Sequence, residues 1–117
     1  MLLKDEFTGR ALVLQSPLLT REPFALTSPL NPIADQRTRV MLFAFNVDPG
    51  KTLSVTAVST QGVTYQLPIE YVGKVQGMDL ITRLIVILPQ DAALHGDISI
   101  SLTMEGVRSN EVVFAIR

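Results

Sequence analysis

The chain reads as an all-β protein, a two-layer sandwich or barrel of seven or eight mainly antiparallel strands. Three observations carry that expectation. Short apolar or alternating runs recur at even spacing between turns built on proline and glycine, the pattern of a sandwich or barrel. Most of these runs repeat with period two, so that every second side chain faces a core. No segment between neighbouring runs is long enough for the helix of a parallel βαβ crossover. At 117 residues the chain is one domain, large enough to bury roughly two-thirds of its unfolded surface without disulfide or metal staples.

The stretch around which the rest is arranged is Asp79 to Pro89. It is apolar on both alternating sides, with Leu80, Leu84, Val86 and Leu88 on one and Ile81, Ile85 and Ile87 on the other, interrupted only by Thr82 and Arg83. Its shortness, its β-branched content and its closing proline favour a central strand over a buried helix. Arg37 to Val47 behaves similarly, with Val40, Leu42 and Ala44 opposite Met41, Phe43, Phe45 and Val47, and is expected to be a strand covered on both faces.

Between these two, Asp48-Pro49-Gly50-Lys51 is a turn. Leu53, Val55 and Ala57 alternate with Ser54 and Thr56 in a half-buried strand that Gln61-Gly62 closes. Val63 to Tyr71 alternates as well, aligning Val63, Tyr65, Leu67, Ile69 and Tyr71, and Pro68 removes one ladder donor, so this strand lies at an edge there or bends at a bulge. After Pro89 the loop Gln90 to Gly96 has room for one helical turn. Ile98, Ile100, Leu102 and Met104 then alternate with Ser99, Ser101, Thr103 and Glu105, Glu105-Gly106 turns the chain, and Glu111 to Ile116 returns as the last strand.

The N-terminal third divides from this core. Residues 1–36 form an arm with possible edge strands of the same domain, and residues 37–117 form the sandwich core. Ala11 to Leu14 is a short apolar burst, a first edge strand or an ordered arm. Pro23, Pro29 and Pro32 surround Phe24 to Ser28, which suits an edge strand.

Composition narrows the function classes. Lys+Arg 10 against Asp+Glu 11 leaves a net charge of -1 and no basic field for nucleic acid. There is no cysteine, hence no thiolate metal site or cysteine nucleophile. No apolar run approaches a membrane span, and Met1-Leu2-Leu3 runs directly into Lys4-Asp5-Glu6, which does not read as a signal peptide. The 47% hydrophobic content, the 18% charged content and a mean hydropathy of +0.32 describe a chain with more apolar surface than one free-standing core absorbs.

Chemistry-bearing residues are few. Gly50-Lys51-Thr52 imitates the end of a phosphate-binding loop, but position 45 is Phe45 where that loop needs glycine, and a strand follows instead of a helix. His95 is the single histidine, with only Asp91 and Asp97 nearby, and an enzyme would require a pocket assembling it with carboxylates. Asp48, Asp79, Asp91 and Asp97 sit in loops without the Asp-x-Asp-x-Asp spacing of a calcium loop. Glu70 and Asp97 form an acid pair only if the fold brings them together. No catalytic, cofactor or metal residue is therefore assigned. Arg83 stands out, because a guanidinium within an apolar strand must find a carboxylate, carbonyls or water. An ion pair of Arg83 with Glu70 that fixes strand register is one expectation, and a stem snorkelling over Ile81 and Ile85 is the other.

The region from about Arg37 to Arg117 resembles a bacterial family of immunoglobulin-like domains found at the C-terminus of large secreted or surface proteins of soil bacteria. The features that carry the resemblance are Tyr71-Val72-Gly73 before a loop, a strand ending Ile87-Leu88-Pro89, Gly96-Asp97 opening an alternating strand, Gly106 at its turn, and Ser109-Asn110 starting the final strand. The resemblance implies an immunoglobulin-like β-sandwich, a structural, spacing or adhesive role without catalytic residues, and an extracellular or cell-surface location.

From the residues themselves comes a complementary expectation. A two-layer sandwich has one inner face per sheet, so Met41, Phe43, Phe45, Ile81, Arg83, Ile85 and Ile87 compose a candidate interface. It is to be covered by the N-terminal arm, a neighbouring domain or a second copy, with self-association preferred. The alternative is a carbohydrate-binding module. It lacks tryptophan and has only Tyr65 and Tyr71, which the alternation places on the apolar side of their strand.

Overall fold

A computed structural model describes residues 1–2, 10, 13–16, 22, 24, 37–89 and 95–116. Every regular element among them is a strand: β1 (Val13–Ser16), β2 (Arg39–Phe45), β3 (Leu53–Val58), β4 (Thr64–Leu67), β5 (Ile69–Val75), β6 (Met78–Ile87), β7 (Gly96–Met104), β8 (Val107–Arg108) and β9 (Val112–Ile116). They make two antiparallel sheets. One has the order β1-β2-β6-β5, and in the other β4-β3-β7 is followed by β8 and β9, which share the remaining edge of β7. The fold is a β-sandwich.

The period-two rows meet between the sheets. From the first sheet come Val13, Val40, Leu42, Ala44, Leu84, Val86 and Leu88, and from the second Val55, Ala57, Leu67, Ile98, Ile100, Leu102, Val112, Phe114 and Ile116, all in one buried cluster. β6 is the middle of the first sheet, paired to β2 from Arg39↔Ile87 to Phe45↔Ile81 and to β5 on its other side. Its inner row is sealed, with Leu84, Val86 and Leu88 fully buried and the buried Thr82 hydroxyl donating to Val47 O at 3.0 Å.

Val63 to Tyr71 does not form one strand. β4 and β5 belong to different sheets, and the chain crosses between them at Pro68. Proline has no N–H to leave unpaired at such a crossing, and its carbonyl accepts from Ile87 N at 3.0 Å. Tyr65, Leu67 and Ile69 keep the inward orientation expected of them. A register shift between Ile69 and Tyr71 inserts Glu70 as the extra residue, which turns Tyr71 to the opposite face of the sheet. Val63 precedes β4 and is exposed.

Two turns are set by backbone conformations that favour glycine. Glu105 and Gly106 both have positive φ, 48° and 86°, the type I′ geometry that matches a tight hairpin to strand twist. Gly77 at φ 80° turns β5 into β6. At Asp48 the Lys51 N–H donates to the backbone carbonyl at 3.1 Å and the Gly50 N–H to the side chain at 2.9 Å, giving the expected turn.

The last strand is broken where Ser109-Asn110 falls. Ser109 N donates to Leu102 O at 2.6 Å, and the Ser109 hydroxyl accepts from Leu102 N at 2.9 Å, standing in for a ladder carbonyl. The Asn110 side chain then holds Leu2, accepting from its N–H at 2.8 Å and donating to its carbonyl at 3.1 Å. Leu2 in turn bridges Ala44 of β2, so this amide ties the edges of the two sheets together.

Described residues of the N-terminal third join the same core. Leu2, Val13 and Phe24 are buried members of the cluster. β1 covers Val13 and Leu14 of the expected edge strand, while Ala11 and Leu12 lie outside the described residues. Phe24 bridges Ile116 in parallel, donating its N–H to Ala115 O at 2.9 Å, and the rest of the expected strand, residues 25–28, lies outside the described residues. The possible helical turn after Pro89 also falls outside them for residues 90–94. The Phe24 and Phe114 rings meet edge to face at 5.5 Å and 76°. Phe24→Ala is expected to destabilise the domain by about 3–5 kcal/mol, the cost of removing a fully buried ring. A change below about 1 kcal/mol in equilibrium urea unfolding would show that this segment is dispensable to the core.

Candidate interaction surface

The two sheets differ on their outer faces. On the second sheet the outward positions of β3 and β7 are Ser54, Thr56, Val58, Asp97, Ser99, Ser101 and Thr103, mostly hydroxyl-bearing although Ser101 is buried, and β9 adds Val113 and Ala115 to the same face. Gln66 donates to the Thr56 hydroxyl at 3.2 Å, and the Ser99 hydroxyl donates to Glu111 at 3.2 Å. The first sheet has apolar side chains on its outer face instead. Met41, Phe43, Phe45, Ile81, Arg83, Ile85 and Ile87 all lie there, joined in register as Met41↔Ile85, Phe43↔Arg83 and Phe45↔Ile81. Leu14, opposite Met41, and Tyr71, opposite Ile85, extend the same face.

Exposure across it is graded. At one end Met41 is 7% and Ile87 8% exposed, and at the other Phe45 is 42% exposed, while Tyr71, on the β5 side of the Met41–Ile85 row, is 43% exposed. Ile87 is roofed by an ion pair that crosses β6. Arg39, its register partner on β2, donates from Nε to Glu70 Oε2 on β5 at 2.9 Å and from Nη1 to Arg37 O at 2.7 Å. The carboxylate expected to meet Arg83 therefore meets Arg39. Glu70 lies on β5 between the partners of Val86 and Ile85, three residues before Gly73, the residue level with Arg83.

Arg83 takes a different contact. Its guanidinium carbon stands 5.2 Å from the centroid of the Tyr71 ring. That ring lies over Gly73, the register partner of Arg83, where a Cβ would come within 2.6 Å of the tyrosine oxygen. Glycine thus makes the space in which the ring lies flat and the cation reaches it. The Arg83 Nε is buried and has no hydrogen-bond partner among the described residues. A cation–π contact contributes about 0.5–1 kcal/mol at an exposed site and about 2 kcal/mol or more when desolvated, comparable to the roughly 1–3 kcal/mol that an unsatisfied buried donor costs.

Other sequence-level candidates are dispersed. An open cleft of about 420 Å³ at one end of the sandwich is lined by Val47, Asp48, Lys51, Lys74, Leu80 and Met104 among others. Lys74 Nζ donates to Val47 O at 3.0 Å, and Lys51 Nζ lies 3.9 Å from Glu105. Lys51 leads into β3, as the strand context of Gly50-Lys51-Thr52 anticipates. His95 is exposed next to β7. Glu70 and Asp97 are on different sheets and bind different arginines, so they form no acid pair. Among the described residues no group of three or more His, Cys, Asp or Glu side chains is placed to hold a metal ion, and no helix is long and apolar enough to cross a membrane. Tyr65 packs on the core from the second sheet while Tyr71 faces outward from the first. The two do not share a platform.

Asp97 belongs to a tether on the second sheet. Arg10 donates through Nη2 and Nη1 to its two oxygens at 2.8 and 3.3 Å and through Nε to Glu22, and Arg10 also bridges Val113 of β9 in parallel. The hydrogen bonds from Arg10 hold the Asp97 carboxyl below its ordinary value, partly offset by desolvation and reinforced by the opposite charge.

No family model matches the chain, and neither a curated protein nor a solved structure matches it.

Strand-level reasoning located the seven outer residues but missed Tyr71 and the Arg39–Glu70 roof, since both follow from a bulge that alternation cannot register. Two measurements check the electrostatics. A lowered folded value means that the Asp97 contribution is present above the unfolded carboxyl value of about 3.9 and is lost as pH falls through the folded one. Asp97→Asn should therefore melt below wild type at pH 7, with the difference shrinking as the pH falls below the unfolded carboxyl value. Arg83→Met should melt close to the wild-type temperature, because losing the Tyr71 contact and removing the unpaired Nε oppose each other, and a fall of several degrees would mean that the cation stabilises the fold.

Proposed function

We propose that the chain is a noncatalytic immunoglobulin-like module that binds protein through the outer face of its four-stranded sheet. The carrying observation is the asymmetry of the two outer faces: that of the second sheet is mostly hydroxyl-bearing along β3 and β7, with Val58, Val113 and Ala115 at one end, whereas that of the first is mostly apolar around Arg39, Glu70 and Arg83. An apolar sheet face of this kind resembles half of a buried interface, and the outward Phe45 and Tyr71 are the aromatic type that supplies interface anchors. The immunoglobulin-like assignment draws support from strand order. β1-β2-β6-β5 and β4-β3-β7-β9 correspond to the A-B-E-D and C′-C-F-G orders of that fold, with β8 and β9 as a broken last strand.

Together with the resemblance of residues 37–117, this reading makes the chain a spacer or adhesive domain of a larger secreted or surface protein. Carbohydrate binding ranks below it, because the two tyrosines are on different sheets and a single ring is a poor sugar platform.

An environment-sensitive apolar dye tests the surface directly. Anilinonaphthalene sulfonate should bind the folded chain, and Phe43→Ser/Phe45→Ser should reduce its fluorescence several-fold while the thermal transition stays cooperative. Equal dye emission from the two proteins would remove this face as the interaction surface.

A further inference from the structure

Resting on that reading, we propose that Arg83 is the anchor of the surface, and that the partner is a protein segment presenting a single carboxylate, from aspartate or glutamate, among apolar side chains. The part of the face open to a partner excludes the roofed end at Met41 and Ile87. It consists of Phe43, Phe45, Tyr71, Ile81 and Ile85 around Arg83, with Phe45 and Tyr71 exposed and the others half-buried. Arg83 is central to it. Along β6 it lies between Ile81 and Ile85, and across the sheet it is level with Phe43 on one side and Gly73 on the other. The space at Gly73 is filled by the Tyr71 ring, 5.2 Å from the guanidinium carbon. The cation is therefore ringed by apolar side chains and steadied by an aromatic one. Only its Nε is shut off from water without a partner, which leaves the terminal nitrogens as the edge that an incoming group can reach.

Charge selects the occupant. A protein that covered this patch with apolar groups alone would leave a guanidinium buried and unpaired, which disfavours such a partner strongly. The chain does not supply the counter-charge itself. Glu70 accepts from Arg39 Nε at 2.9 Å and lies three residues before Gly73 on β5, and Asp79 is four residues, about 13 Å, along β6 from Arg83. A carboxylate brought by the partner to the terminal nitrogens makes a charge-assisted pair, and the surrounding rings strengthen it by excluding water. A phosphorylated segment fits less well. Phosphate carries about −1.5 to −2 charges and is recognised by clusters of arginines, whereas Arg83 has no second lysine or arginine beside it in the patch among the described residues. Shape disfavours a small anionic ligand, because such sites are concave, and the clefts of about 420 and 280 Å³ are lined by residues of other surfaces.

A random peptide library displayed on phage and panned against the immobilised, folded chain tests this directly. Wild type should enrich peptides in which Asp or Glu is flanked by apolar residues, and Arg83→Glu should enrich Lys or Arg in place of the acid. The strongest acidic peptide, measured by fluorescence polarisation, should bind Arg83→Met at least about tenfold more weakly than wild type. Replacing its carboxylate by the amide should cost the same. The two changes together should cost little more than either alone, the mark of a direct pair. Enriched peptides that are apolar but carry no acid, or an acidic peptide that binds Arg83→Met as tightly as wild type, would overturn the proposal. If Phe43→Ser/Phe45→Ser abolished the binding of those same peptides, the interaction surface itself would stand. A library yielding no peptide whose binding depends on this face would overturn both. A wild-type mass that doubles with concentration in light scattering, and no longer does so in Arg83→Glu, would assign the face to a second copy and overturn the proposal as well.

Discussion

The structure depends on β6 having two apolar rows in a fold that can bury only one. Its inner row, Thr82, Leu84, Val86 and Leu88, is closed off from water and forms the floor on which the second sheet packs. The hydroxyl of Thr82 belongs to that row without conflict because the Val47 carbonyl accepts its hydrogen. With the inner row committed to the core, Ile81, Arg83, Ile85 and Ile87 must face away from it. The chemistry of the outer face follows from that division.

The remaining architecture shows how a sandwich satisfies backbone polar groups where strands stop or change sheet. Pro68 carries the chain from one sheet to the other and still offers its carbonyl to Ile87. Ser109 interrupts the last strand, yet its hydroxyl and amide keep both ladder positions of Leu102 occupied. Asn110, released from the ladder by that interruption, grips both polar groups of Leu2. The irregularities at Pro68 and Asn110 are therefore also connections between layers.

The strands were legible because burial of one face imposes period two on the sequence. That rule located the inner rows of β3, β6 and β7 and gathered seven outer residues of β2 and β6 onto one surface. It failed between Val63 and Tyr71, where continuous alternation concealed a sheet crossing and then a bulge. Proline at position 68 signalled an interruption without saying which of two sheets would receive each half. The partner of Arg83 was illegible for a related reason. A one-residue insertion at Glu70 moves a carboxylate by a register step, and pairing across strands is a property of register rather than of composition. Gly73 was the one local clue, since a strand glycine often marks close approach by another group.

The separation of the two tyrosines onto different sheets has a practical corollary. With no tryptophan in the chain, near-ultraviolet emission originates from Tyr65 and Tyr71 alone. Tyr65 packs against the interior from the second sheet and samples the integrity of the fold, whereas Tyr71 stands beside a guanidinium on the opposite exterior. The unmodified molecule thus contains one chromophore for its interior and another for its apolar exterior. Replacing either ring by phenylalanine isolates the spectrum of the other.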